Sequence, residues 1–186
     1  MVLGGLDSVV GGHAQGVELP AHVNWSERAR GCLGRWRRRR GCNFEDLEVG
    51  ATWETRGRTI TEADLVTYAG LSGNFGPIHM DEEFARATSF GSRLAHGPLV
   101  LDIAIGLGNL DGPRMATLAG TELHCRFLKP VKMGDTIHVR WMIEDKVLDE
   151  ARGRGRIVSR LDVYNQREEL VQEVAVGGVD LDRVES

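Results

Sequence analysis

Cysteine is scarce: Cys32, Cys42 and Cys125 are an odd number at irregular spacing, with no CxxC pair and no Cys/His cluster of zinc type. No metal centre is therefore expected, and a reducing cytoplasm is the simplest compartment. No apolar run approaches the roughly 20 residues that a bilayer span needs, so no membrane partner is expected. The opening Met-Val-Leu-Gly-Gly-Leu-Asp lacks a basic region followed by a sustained apolar stretch, which argues against a secretory signal. There is no internal repeat. A formal charge of −4 argues against nucleic acid as the main partner.

What is present suits one globular domain with a real core. The chain has 186 residues and is 41% hydrophobic, against a common domain size of roughly 100 to 150 residues. Residues 1–42 differ from the rest. They hold Gly4, Gly5, Gly11, Gly12 and Gly16, no lasting periodicity, and the run Arg35-Trp36-Arg37-Arg38-Arg39-Arg40. Seven arginines there face Asp7, Glu18 and Glu27, an excess of four positive charges, so the remainder carries about −8. Like charges this dense repel and leave little to bury, so residues 1–42 are expected to be a flexible Arg-rich extension and residues 43–186 the folded domain.

Within that domain, Thr52 to Ile60 reads as an early strand. Thr61-Glu62-Ala63-Asp64 is a helix start in which the Thr61 hydroxyl satisfies the Asp64 amide and the Asp64 carboxylate reaches back. Leu65, Tyr68 and Ala69 supply the apolar stripe, and Leu71-Ser72-Gly73 ends the helix. Met80 to Ala87 reads as a second short helix. From Pro98 to Leu110 the apolar residues run almost all round, which predicts a buried helix. Glu122 to Phe127 and Ile137 to Ile143 alternate as strands with one buried face, joined through a turn at Lys132-Met133-Gly134-Asp135. Arg156 to Tyr164 and Leu170 to Val179 are two further strands. The sum is an α+β layout: a central apolar helix and an antiparallel sheet.

The chemistry concentrates in Gly73-Asn74-Phe75-Gly76-Pro77-Ile78-His79 and Ala95-His96-Gly97. A histidine exchanges protons near neutrality, and Gly76-Pro77 supplies a tightly turned backbone to hold the His79 ring. His96-Gly97-Pro98 enters the apolar helix, where unpaired amides and the positive dipole end gather. The Gly97 amide is a candidate to stabilise an oxygen on which negative charge develops. Asn74 stands where a carboxylate would complete an acid/base pair. Its amide can orient a water but cannot take its proton near neutral pH. Asp81 and Glu82, the nearest acids, read as a solvated helix face.

The string from Tyr68 to Ala85 resembles the hydratase motif of the MaoC-like dehydratase family, whose members include (R)-specific enoyl-CoA hydratases. Phe90-Gly91-Ser92-Arg93-Leu94-Ala95-His96-Gly97, Arg126-Phe127-Leu128-Lys129-Pro130-Val131 and Gly134-Asp135 match in the same order. The strings run from Tyr68 to Asp135, and the resemblance they carry extends over roughly Phe44 to Asp180. The resemblance implies a hot-dog fold, a sheet wrapped around the central helix, and a dimer with the acyl-CoA tunnel at its interface. It also implies addition or removal of water across a 2-enoyl-CoA double bond. His79 matches the catalytic histidine and the Gly97 amide the oxyanion donor. Where the family reads Gly-Asp-x-Asn-Pro-x-His, this chain has Asn74 and Gly76.

Asn74 is thus expected to position water, with His79 as sole base. Arg93, Lys129 and Lys132 are candidates to meet the CoA phosphates. CoA enters as part of the substrate, and no separate cofactor is expected. The expected partner is a second copy of the chain, with a complementary subunit that supplies the missing carboxylate as the heteromeric alternative. Two other activities stand beside the hydratase reading: a catalytically weakened acyl-CoA binding subunit, which Asn74 favours, and a hot-dog acyl-CoA thioesterase.

Overall fold

The segment after Gly50 pairs as two short strands, β1 (Thr52–Glu54) and β2 (Arg58–Thr59), where the sequence predicts one. The break has a local cause. Thr55 keeps its amide on the Val139 carbonyl but offers its hydroxyl, not its carbonyl, to the Val139 amide at 3.0 Å, and Arg56 binds Asp111, so regular pairing stops there. These features come from a computed structural model that describes residues 42–149 and 154–181. Apart from Cys42, the expected extension lies outside the described residues. Cys42 itself is buried and belongs to the domain, since its carbonyl accepts from the Ala116 amide at 2.8 Å.

The first helix, α1 (Glu62–Ser72), starts as the sequence predicts: Thr61 Oγ1 accepts from the Asp64 amide at 3.3 Å, and Asp64 Oδ2 accepts from the Thr61 amide at 2.8 Å. Gly73 ends it with φ of 72°, a left-handed conformation that only glycine adopts without strain. The predicted Met80–Ala87 helix is two: α2 (Pro77–Met80) and α3 (Glu82–Arg86). They divide at Asp81, whose side chain accepts from the Phe84 amide at 2.9 Å and so caps α3.

The apolar helix is α4 (Gly97–Asp111). Four long strands follow: β3 (Thr117–Phe127), β4 (Thr136–Asp149), β5 (Arg154–Asn165) and β6 (Leu170–Leu181). The sheet is antiparallel in the order β1-β4-β5-β6-β3, with β2 also on β4. Ile137, Val139, Trp141 and Ile143 alternate on β4, and Ile157, Leu161 and Val163 on β5; all join one buried cluster with Leu99, Val100, Ala104 and Leu107 of α4. This is the hot-dog arrangement, an antiparallel sheet curled on one central helix.

Close approach of helix and sheet depends on Gly108. A Cβ there would lie 2.0 Å from the Trp141 ring, which is stacked on Trp53 with centroids 5.1 Å apart. Two expectations need correction. Helix α4 is not buried all round: Leu110 is 67% exposed, and Ile103 and Ile105 are half-buried. Strand β3 alternates in sequence yet is exposed along nearly its whole length, because it forms the sheet edge beyond the cover of α4.

Candidate active site

The loop after α1 is built by short polar side chains that bond their own backbone. Ser72 Oγ donates to the Tyr68 carbonyl at 2.7 Å and accepts from the Asn74 amide at 3.2 Å. Asn74 Oδ1 then accepts from the Gly76 amide at 3.2 Å, an Asx turn that delivers Pro77 to the first position of α2. His79 sits in the resulting single turn of helix. Gly76 leaves the space between these groups open. A Cβ at Gly76 would meet Asn74 Oδ1 at 3.2 Å and His79 Cδ2 at 3.5 Å, so both side chains border the same small volume.

His79 Nδ1 lies 2.9 Å from the Leu94 carbonyl oxygen. A carbonyl only accepts, so Nδ1 carries the proton in the neutral ring and Nε2 is left as the basic nitrogen. Cδ2, which borders the Gly76 space, is bonded to Nε2. The ring is half-buried and stacks on His96 with centroids 3.9 Å apart and planes 26° apart. His96 is fully buried, and its Nε2 lies 2.9 Å from the Asn74 carbonyl oxygen. By the same argument Nε2 carries the His96 proton, while Nδ1 is buried with no hydrogen-bond partner. Burial holds the His96 pKa below its ordinary value, against the Asn74 hydrogen bond that raises it and with the nearby His79 lowering it further.

Gly97 is the first residue of α4, after His96 at the N-cap. Its amide is one of those that no preceding turn can satisfy, and the 15-residue helix adds its dipole there. A Cβ at Gly97 would lie 2.6 Å from the Phe127 ring, so the glycine lets β3 close over the helix entrance. Below it, Gln172 of β6 is 2% exposed and donates from Nε2 to the Gly97 carbonyl at 2.9 Å, with Oε1 left unpartnered.

His79, Asn74 and the helix entrance at Gly97 thus come together through His96. The sequence points to the Gly97 amide but gives no role to the His96 side chain before it, although the residue stands in Ala95-His96-Gly97. Gln172 had no signal, being one glutamine in an alternating strand. The nearby acids are engaged elsewhere: Asp81 caps α3, and Glu82 pairs with Arg86 at 3.2 Å and Arg93 at 3.1 Å.

The three cations predicted for CoA differ in setting. The Arg93 side chain is 12% exposed and is held by Glu62 as well as Glu82, which ties α1 to α3. Lys129 is 51% exposed and pairs with Glu169 at 3.0 Å. Lys132 donates to the Phe90 carbonyl at 2.7 Å. Between α4 and β3 runs a groove of about 430 Å³, lined by Ile105, Leu123, Trp141 and Val176 on its apolar side and by Asn109 and Glu122 among its polar residues.

Residues 45–162 match the family model described as MaoC like domain. The chain is 38% identical over 109 residues to Protein MaoC of Klebsiella aerogenes, a match covering 59% of this chain and 32% of that protein. It therefore spans about a third of that relative's length. The 3-hydroxybutyryl-CoA dehydratase of Methylorubrum extorquens is 37% identical over 113 residues, covering 60% of this chain and 69% of the other. Among solved structures, the MaoC-like dehydratase from Rhodospirillum rubrum is similar with a TM-score of 0.70 at 28% identity, covering 78% of this chain and 100% of that one.

Proposed function

Because the chain belongs to the MaoC-like dehydratase family, we propose that it adds water to, or removes it from, the double bond of a 2-enoyl-CoA. The observation that carries this reading is the pairing of a His79 ring whose Nε2 is left basic with the Gly97 amide at a helix entrance.

In the hydration direction, a water in the space above Gly76 gives a proton to His79 Nε2 as its oxygen bonds to C3 of the enoyl group. The double-bond electrons move to the thioester oxygen, where the Gly97 amide and the helix dipole stabilise the charge. The histidinium then returns a proton to C2. The proton taken from water is replaced at carbon, so one base suffices for the net reaction. Asn74, with Oδ1 held by the Gly76 amide, keeps its NH₂ group as a donor to the water oxygen. Gln172 steadies the Gly97 peptide from below.

The acyl chain runs from the helix entrance along α4 into the groove beside β3. Ile105 is eight residues beyond Gly97, about 12 Å along a helix axis. Lys129 and Lys132 meet the CoA phosphates. An exposed ion pair such as Lys129 with Glu169 contributes little and can be exchanged. Arg93, little exposed and bound by two carboxylates, serves as a clasp for the helices. No helix among the described residues is long and apolar enough to cross a membrane. The scarce, irregularly spaced cysteines favour a reducing cytoplasm as the compartment. No cofactor beyond the CoA of the substrate takes part.

The functional unit is a homodimer joined along β3, the end strand of the sheet among the described residues, whose Leu118, Leu123 and Phe127 are 43, 45 and 58% exposed. Asn74 favours a second reading, an acyl-CoA binding subunit that is silent alone and active with a partner bearing the carboxylate. One assay separates them. Crotonyl-CoA and longer enoyl-CoAs are offered to the purified chain, and loss of the conjugated double bond and release of free thiol are followed separately. Hydration supports the principal reading, thiol release a thioesterase, and binding without either reaction the silent subunit.

A further inference from the structure

Among the described residues, His96 joins the two halves of the candidate site. It is fully buried, its ring lies 3.9 Å from that of His79 between centroids, and its Nε2 lies 2.9 Å from the carbonyl oxygen of Asn74. It also forms the N-cap of α4, with Gly97 next in the chain. Its side chain gives no capping hydrogen bond to the helix, so its polar atoms are not spent on starting α4. A fully buried imidazole with one unpartnered nitrogen is disfavoured as a mere core residue, since an apolar ring would fill the volume without that penalty.

We propose that His96 is the positioning residue of the hydration site. It holds the His79 ring by stacking and the Asn74 peptide by a hydrogen bond, so that one buried side chain sets both borders of the water space above Gly76. The proposal rests on the hydratase reading, and His96 itself touches no reacting atom. Of its two contacts the hydrogen bond matters more. Loss of the N–H leaves a part-buried carbonyl unpaired, whereas the ring contact is partly replaced by whatever settles against His79.

Three substitutions separate the contacts. His96→Gln can restore an N–H near the place of Nε2 without the ring, His96→Phe keeps a ring without the N–H, and His96→Ala removes both. The expected order of kcat for crotonyl-CoA hydration is wild type, Gln, Phe, Ala. The alanine variant should fall about 10- to 100-fold, as expected for sub-ångström to ångström misplacement of reacting groups. KM should stay within about 2-fold, because His96 makes no uniform binding contact with substrate. All variants are compared well below their thermal midpoints, so a lower folded fraction cannot produce the ranking. An alanine variant with wild-type kcat, a loss carried by KM, or Phe equal to or better than Gln would overturn the proposal.

A second measurement needs no turnover. Nitrogen-15 spectra of the wild-type protein at neutral pH should find the His96 proton on Nε2 and the His79 proton on Nδ1. A His96 proton on Nδ1 overturns the proposal. Absence of hydration together with the expected tautomers overturns the hydratase reading and leaves the clamp intact.

Discussion

In the proposed reaction, Asn74 decides how much catalysis the His79 ring must supply alone. An aspartate in its place would keep an oxygen for the Gly76 amide and so keep the loop. It would add a second proton acceptor beside the same space, where general acid/base assistance typically contributes 10² to 10⁴-fold. The Asn74→Asp variant is therefore expected to raise kcat for hydration about 100-fold with little change in thermal midpoint. An unchanged or lower rate in a folded variant would contradict the assignment of this volume as the water space. The pairing of Asn74 with His79 in one short motif was legible in the sequence. The His79 tautomer was not, because it depends on the Leu94 carbonyl, fifteen residues away, which the fold brings to 2.9 Å.

Helix α4 joins the chemistry to the core, and its glycines do opposite things. Glycine inside a helix is less favourable than alanine by about 0.8 to 1 kcal/mol, so propensity alone favours alanine everywhere. At Gly106 a Cβ meets nothing within 4 Å, and Gly106→Ala should stabilise by up to about 1 kcal/mol. At Gly108 a Cβ would lie 2.0 Å from a Trp141 ring that cannot withdraw from Trp53. Overpacking there costs about 1 to 3 kcal/mol, and Gly108→Ala should be destabilising on balance. Denaturant unfolding of both variants checks the pair; equal shifts would contradict the packing described. The apolar character of α4 and the alternation of β4 and β5 were readable in the sequence because burial imposes period on composition. The split of β1 from β2 and of α2 from α3 was not. Each break is made by a polar side chain, Thr55 or Asp81, that takes a backbone partner the ladder or helix would otherwise use.

At the scale of the molecule, the exposed side chains of β3 and the groove beside it point the same way. Alternation predicts a buried face for Glu122 to Phe127, yet the strand is exposed along nearly its whole length. A second copy at this edge would cover Leu118 and extend the sheet. The dimer is expected by sedimentation at micromolar concentration, and Leu118→Lys should shift it towards monomer; an unmoved equilibrium would place the interface elsewhere. The unequal division of charge along the chain was plain in the sequence, but residues 1–41 lie outside the described residues. Pairing across β3 would also complete the wall of the groove that we assign to the acyl chain.

We propose that this hot-dog domain hydrates an enoyl-CoA with His79 as its base. The initial rate at which the purified full chain consumes the conjugated double bond of crotonyl-CoA, compared with that of His79→Ala, decides the matter. Hydration by the wild-type chain and loss of at least about 100-fold in the variant, the low end of what general-base assistance supplies, are expected. Hydration that survives unchanged in His79→Ala, with the variant folded and binding substrate, would contradict the proposal.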